Sequence, residues 1–389
     1  MPYNFDNITL RRGSGSVKWD ATAEETLPLW VADMDFAAAP AIQEALQRRV
    51  EHGIFGYAKV PEAYYDAIVR WFQNRHRWTI ERSHIIYTTG VIPAIAAALR
   101  AVTLPGQKVL IQSPVYNCFY YCIRNAGCEV CDSPLVIGHD QRYTIDFADL
   151  EAKAADERCT AMLLCNPHNP AGRVWTPEEL THIGDICQRH GVQIISDEIH
   201  CELIMPAHTF TPFATLPNTE ASKAIVMNSP SKNFNIAGLQ VANIIVPNDT
   251  LRRQIVRAIN IHETCDLNPF GIDALIAAYN QCGEWLDELN LYLWQNFITL
   301  QRFVEKQLPN CKLTPLEGTY LAWLDVRAFQ LPTALIEASL KEVEHVWVNS
   351  GTLYGQEGFL RINIATQRSR LEEGLQRMAQ GLKRLAAKQ

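Results

Sequence analysis

The sequence predicts an α/β protein built on a largely parallel sheet, and three observations predict it. Short runs rich in Val, Ile, Leu and Met alternate with stretches of helical periodicity, the pattern of strands joined by crossover helices. Several runs are near-continuously apolar, as in Met162-Leu163-Leu164 and Ile194-Ile195, which suits strands covered by helices on both faces. Between them stand helix starts. At Thr176-Pro177-Glu178-Glu179 a hydroxyl caps, proline takes the first helical position, and two acids face the positive end of the dipole.

In chain order, the first forty or so residues show little periodicity, yet Trp30-Val31-Ala32-Asp33-Met34-Asp35-Phe36 is too apolar for a solvated tail. This segment is expected to pack on the body and to join the C-terminal unit. Strands are expected at 84–89, 108–113, 128–134, 161–166, 193–198, 223–228 and 240–246, with helices at 93–102 and 177–190 among them. From about Leu251 the pattern turns helical, with a long amphipathic run over 284–308. A second small α/β unit follows, with strands at 319–326 and 358–365 and a closing helix at 370–387. No internal repeat or low-complexity tract interrupts this order.

Composition narrows the function. The 389 residues carry 35 Lys and Arg against 42 Asp and Glu, a net charge of −7, which disfavours a broad nucleic-acid footprint. Apolar residues make up 48% and charged residues 20%, ordinary for a globular protein. No apolar run approaches the roughly 18–20 residues that span a bilayer. The start, Met1-Pro2-Tyr3-Asn4-Phe5-Asp6, lacks a basic region followed by an apolar one, so no signal peptide is expected. The 11 cysteines are scattered and read as reduced thiols of a cytoplasmic protein. Cys118, Cys122, Cys128 and Cys131 include a CxxC pair, but residues three apart on a strand face opposite ways. Buried small hydrophobes are therefore expected there, and no metal.

Five features can carry chemistry, four of them at strand ends, where open α/β sheets bind ligands. Tyr87-Thr88-Thr89-Gly90 leads into Val91-Ile92-Pro93. Gly90 is expected to permit a tight turn, and the amides that follow form an anion cradle. There is no Walker lysine and no G-x-G-x-x-G. In Asn166-Pro167-His168-Asn169-Pro170 two prolines stiffen a loop from which Asn169 can present an amide. In Ser196-Asp197-Glu198-Ile199-His200 a carboxylate ends a buried strand. Alternation lets only one of Asp197 and Glu198 face a shared site. A metal or a protonated ring nitrogen would each suit as its partner, and His200 reads as a ligand or as a structural residue. In Ser229-Pro230-Ser231-Lys232 a lysine follows a buried strand, where desolvation lowers its pKa and suits it to Schiff-base chemistry. On Leu360-Arg361-Ile362-Asn363-Ile364, Arg361 falls on the face opposite the apolar residues, suited to bidentate carboxylate capture or to a structural ion pair.

Asn169, Asp197, Lys232 and Arg361 stand in that order, and the set resembles the fold-type I pyridoxal-phosphate enzymes of the aspartate aminotransferase superfamily. LPLWVADMDF (27–36), FGY (55–57), SPVYNCF (113–119), CNPHNPAGRVW (165–175), SDEIH (196–200), SPSKNFN (229–235) and GFLRIN (358–363) are similar to the MalY/PatB family of cysteine–sulfur β-lyases. Thr88-Thr89 and Asn349-Ser350-Gly351 depart from that subgroup's usual Pro-Gly pairs.

The resemblance implies pyridoxal 5'-phosphate as cofactor, with Lys232 joined to it, Asp197 on its ring nitrogen, and Asn169 with His200 near the ring hydroxyl. It implies that Tyr116 stacks on the ring, and that Gly90, Val91, Ile92, Ser229 and Ser231 surround the phosphate. Tyr57 would reach the phosphate of a neighbouring subunit, making a homodimer with shared active sites. Arg361, with backbone of Ala32 and with Asn169 beside it, would hold the carboxylate of a small amino-acid substrate. The implied architecture is a large domain over 46–284 around a mostly parallel seven-stranded sheet. The N-terminal arm (1–45) and residues 285–389 make a small discontinuous domain beside it. The implied activity is α,β-elimination from cystathionine or another L-cysteine S-conjugate, yielding a thiol, pyruvate and ammonia. An aminotransferase using the same residues, and a cofactor-binding regulatory protein without turnover, stay open as alternatives. No nucleic acid or membrane partner is expected.

Overall fold

A computed structural model of the chain describes residues 3–217, 223–261 and 265–387. At its centre lie β1 (Ile85–Thr88), β2 (Lys108–Ile111), β3 (Glu129–Asp132), β4 (Cys159–Cys165), β5 (Gln193–Asp197), β6 (Ile225–Asn228) and β7 (Ala242–Ile245). They form one seven-stranded sheet in the order β1-β7-β6-β5-β4-β2-β3. Every pairing is parallel except those of β7, which runs antiparallel to β1 and β6. Each expected strand of the central set is present.

Period-two alternation sorts the sheet's side chains into two cores. Val109, Ile111, Leu163, Ile195 and Met227 face one side, with Ile95 and Ala98 of the helix Val91–Val102. Leu110, Met162, Leu164, Ile194 and Val226 face the other, with Ile183 and Ile186 of the helix Pro177–His190. The near-continuous apolar runs follow from this two-sided cover. At the second helix the capping box forms as its sequence suggests: the Glu179 amide donates to Thr176 Oγ1, while Glu179 Oε2 accepts from the Thr176 amide.

Gly90 corrects one expectation. It caps the helix Val91–Val102 with φ 167° and ψ 164°, extended backbone that any residue adopts. A tight left-handed turn is therefore not the reason for this glycine. A Cβ there would meet Pro93 Cδ at 3.4 Å, an ordinary contact, so packing against Pro93 does not require a glycine either.

A second sheet of four antiparallel strands orders Lys312–Leu313, Leu321–Asp325, Phe359–Asn363 and Asn349–Ser350 side by side. The helices Gly283–Gln307 and Arg368–Ala386 accompany it. Buried Asn296 on the first donates to the carbonyls of Ile364 and Thr366 at 2.9 and 2.8 Å, tying the sheet's exit strand to that helix. The N-terminal segment joins this unit, as Leu27–Pro28 pairs in parallel with Val346–Trp347. No described helix is long and apolar enough to cross a membrane.

The irregular stretch 30–36 is held by a buried ionic cluster. Asp35, 1% exposed, accepts from Lys18 Nζ at 2.9 Å, from Arg11 at 2.8 Å and from Trp19 Nε1 at 2.8 Å. Lys18 is itself fully buried. Burial alone would raise the Asp35 pKa, but the charge of Lys18 and the three donors outweigh it and hold the carboxyl below its ordinary range.

Candidate active site

The carboxyl ends of β4, β5 and β6 open on a cavity of about 220 Å³ lined by Ala32, Gly90, Val91, Ile92, Tyr116, Asn169, Asp197, His200, Ser231 and Lys232, among others. All ten are residues the sequence singles out. Thr89, Pro93, Cys165, Ile199, Ala237, Gln240 and Val241 complete the wall. Thr89, Pro93, Cys165 and Ile199 lie within the motifs described above, whereas Ala237, Gln240 and Val241 lie outside them.

One end of the cavity is the start of the helix Val91–Val102. Its first amides have no acceptor within the helix, and its dipole is positive there, so an anion is favoured. Ser231 adds a hydroxyl to the same wall. Ser229 does not line it: its Oγ donates to the Val241 carbonyl at 2.6 Å and accepts from the Ser231 amide at 3.0 Å. Its role in this structure is to cap the short helix Pro230–Asn233 that carries Lys232.

Asp197 ends β5 with its side chain on the cavity. Burial pushes its carboxyl up to about 6, against an amide from Ile199 at 3.1 Å and the charge of Lys232. Glu198 turns to the other side, as alternation requires, where its Oε1 accepts from Ser196 and from the Phe213 amide, each at 2.9 Å. Burial lifts that carboxyl to about 8. His200 is buried with Nδ1 unpartnered, and burial, then the charges of Lys232 and Arg361, depresses it to about 3. It is a neutral imidazole facing the cavity.

Lys232 reaches across to the main chain of the N-terminal segment, its Nζ donating to the Ala32 carbonyl at 2.6 Å. Burial lowers its pKa, and the charge of Arg361 adds to that, against Asp33 and Asp197. Arg361, 3% exposed, donates to the Trp30 carbonyl at 2.9 Å and to Asn169 Oδ1 at 3.2 Å. Its guanidinium lies over Tyr354, 4.5 Å from the ring centre, and its buried Nε has no partner. Asn349 donates to the same Trp30 carbonyl at 3.1 Å. Tyr116 caps the helix Asn117–Asn125 at the cavity wall. Tyr57 is wholly exposed at 104% and does not line this cavity.

The residues present fit a phosphorylated pyridine cofactor. Asp197 is a desolvated carboxylate suited to a protonated ring nitrogen. The bare Nδ1 of His200 and Nε of Arg361 are buried polar atoms that ask for a partner, and the helix start supplies an anion site.

A mostly parallel sheet with a lysine and an aspartate at adjoining strand ends, and an arginine brought in by a second sheet, defines an aminotransferase-like α/β enzyme. The chain belongs to the family Aminotransferase class I and II, whose profile matches residues 25–378. It is 41% identical over 386 residues to the cystathionine beta-lyase PatB of Bacillus subtilis (strain 168), covering 97% of this chain and 100% of that one. It is 34% identical to the protein MalY of Escherichia coli (strain K12), over 96% and 97% of the two chains. Its structure is similar to that of cystalysin from Treponema denticola, which contains a pyridoxal 5'-phosphate cofactor. The TM-score is 0.95 at 36% identity, covering 99% of this chain and all of that one.

Proposed function

We propose that the protein is a pyridoxal 5'-phosphate-dependent carbon–sulfur β-lyase that cleaves cystathionine or another L-cysteine S-conjugate to a thiol, pyruvate and ammonia. The observation that carries this reading is the convergence of Lys232, Asp197 and a helix start on one cavity, in a chain akin over its length to a cystathionine beta-lyase.

When bound, the cofactor supplies the electron sink that makes the Cα proton of an amino acid acidic enough to remove. Lys232, its ammonium destabilised by burial, is the residue that would join the cofactor and would serve as base toward Cα. Asp197 would hold the proton on the ring nitrogen. Asn169 and His200 would stand by the ring hydroxyl, and Tyr116 by the ring face. Gly90, Val91, Ile92 and Ser231 would hold the phosphate, with Ser229 fixing the short helix that carries Lys232. Arg361 and the Ala32 amide take the substrate carboxylate, as a guanidinium fork and a main-chain donor.

The second subunit belongs to this reading. Tyr57 is exposed beside Ile54 and Phe55, at 69% and 57%, and an apolar, outward stretch of this kind suits burial against a second copy. In such a homodimer Tyr57 would reach the phosphate of the other subunit's site. The large domain over 46–284, the small domain from 1–45 with 285–389, and a cytoplasmic location complete the proposal.

The test feeds purified holoenzyme L-cystathionine with and without a keto-acid acceptor. Pyruvate and free thiol released without an acceptor are expected. Turnover that depends strictly on the acceptor identifies an aminotransferase and overturns the lyase reading.

A further inference from the structure

The carbonyl of Ala32 accepts two hydrogen bonds. Lys232 Nζ donates at 2.6 Å and the Tyr320 hydroxyl donates at 3.0 Å. A carbonyl oxygen has two lone pairs, so these donors fill it. We propose that Tyr320 is a positioning residue that keeps the Ala32 carbonyl satisfied when Lys232 leaves it, so that the lysine passes between free amine and cofactor-bound forms without baring a buried acceptor. This rests on the reading of Lys232 as the cofactor lysine.

Donor arithmetic carries the inference. A free ammonium has three N–H donors, whereas a lysine nitrogen joined to a carbonyl carbon keeps at most one. Lys232 therefore cannot serve Ala32 equally in both states. The neighbouring carbonyls do not share the problem. Val31 and Asp33 both accept from Asn363 Nδ2, at 2.6 and 2.7 Å, and Trp30 accepts from Arg361 and Asn349. In the segment 30–33, Ala32 alone leans on the lysine.

Tyr320 is held in place independently of Lys232. It is 1% exposed and meets the His200 ring edge-on at 6.0 Å. The two residues before it are pinned to loops beside the large sheet. The Thr319 amide donates to the Leu203 carbonyl at 2.7 Å, and the Gly318 amide donates to the Gly172 carbonyl at 3.1 Å. A Cβ on Gly318 would come within 2.9 Å of Val174 and 3.2 Å of the Leu203 carbonyl, so only glycine permits this approach. Burial raises the Tyr320 hydroxyl's pKa, so it stays protonated and remains a donor.

The test is a double-mutant cycle read as cofactor affinity, not turnover. Wild-type, Tyr320→Phe, Lys232→Ala and doubly substituted apoproteins are titrated with pyridoxal 5'-phosphate and followed by tryptophan fluorescence. With Lys232 present, Tyr320→Phe is expected to weaken binding about tenfold, the scale of one buried acceptor losing its partner. In the Lys232→Ala background the same substitution is expected to change binding by less than about twofold, because Ala32 gains or loses no donor on binding. Equal weakening in both backgrounds marks a merely structural ring and overturns the proposal, as does no weakening in either. Borohydride reduction of the holoenzyme followed by peptide mass tests the underlying reading separately. Cofactor mass on a residue other than Lys232 overturns that reading. Mass on Lys232 with an additive cycle overturns only the role of Tyr320. Phe keeps the ring that packs on His200, and thermal melting of each apoprotein verifies the fold.

Discussion

Replacing Asp35 with Asn keeps the shape of a side chain that touches no substrate, yet it should loosen the wall of the active site. Asp35 is the shared acceptor for Lys18, Arg11 and Trp19. Asparagine still accepts from Trp19 but brings no charge, and its NH₂ competes for the space facing two cations. Removing one partner of a buried ion pair costs about 3–5 kcal/mol, because the remaining charge is stranded. Three retained contacts reduce this. Arg11 keeps its bond to Asp33 at 2.9 Å, and Lys18 keeps the Asp33 carbonyl at 3.2 Å and its carboxylate at 3.8 Å. The expected loss is about 3 kcal/mol.

The assay is urea unfolding followed by fluorescence, since Trp19 and Trp30 both report on this segment. Asp35 also predicts the pH dependence. Its folded pKa is depressed, so its contribution is present above the unfolded aspartate value of about 3.9 and is lost as pH falls through the folded value. The Asp35→Asn penalty should therefore shrink in acid. A loss under about 1 kcal/mol for Asp35→Asn, or one that persists undiminished in acid, refutes the reasoning.

Glu198→Gln should flatten the pH dependence of stability across the weakly acid and neutral range. Its folded carboxyl is raised to about 8, so its contribution is complete below the unfolded value and fades by about 1.4 kcal/mol per pH unit up to the folded one. Unfolding of Glu198→Gln measured from pH 5 to 9 should lack that slope. Arg361→Lys replaces a fork lying over Tyr354 by a point charge, and should raise KM at least tenfold (about 1.4 kcal/mol) while leaving the cofactor absorbance unchanged. Asp197→Asn should retain a bound cofactor yet lower kcat on the order of a hundredfold or more, the scale of a misplaced proton. Steady-state kinetics on the reconstituted variant measures it.

The parts of the fold that were legible are those whose signal is local. Met162-Leu163-Leu164 reads as a buried strand because both of its faces meet helices, and Thr176 with Glu179 closes a box within one turn. Asn169, Asp197 and Lys232 were legible for a related reason. A polar residue directly after an apolar strand has few places to go except the strand-end crevice. The illegible parts depend on partners far along the chain. Tyr320 reaches Ala32 across 288 positions, and nothing around Gly318-Thr319-Tyr320 marks that hydroxyl. A strand–Gly–helix junction usually signals a turn glycine, whereas the φ of 167° at Gly90 makes no such demand. Ser229 stood beside Ser231 in the same motif, and only the path of Val241 decides that it faces backbone.

The stretch 30–36 shows why a segment without periodicity can still be ordered. A strand or helix satisfies its own carbonyls by repetition, and the repetition is what a sequence displays. Here much of the satisfaction comes from side chains on separate elements. Trp30 takes Arg361 and Asn349, Val31 takes Asn363, Ala32 takes Lys232 and Tyr320, and Met34 takes Asn235 and Arg11. Such a segment is held by side chains of the second sheet and of the turn at Lys232. The cost of that arrangement is many long-range contacts, and its consequence is chemical. The backbone that faces Lys232 and the arginine that would face a carboxylate are fixed by the same set of bonds. A change that loosens Trp30 or Asp35 should therefore disturb substrate capture and the resting place of the lysine together, though neither residue needs to touch the reacting atoms.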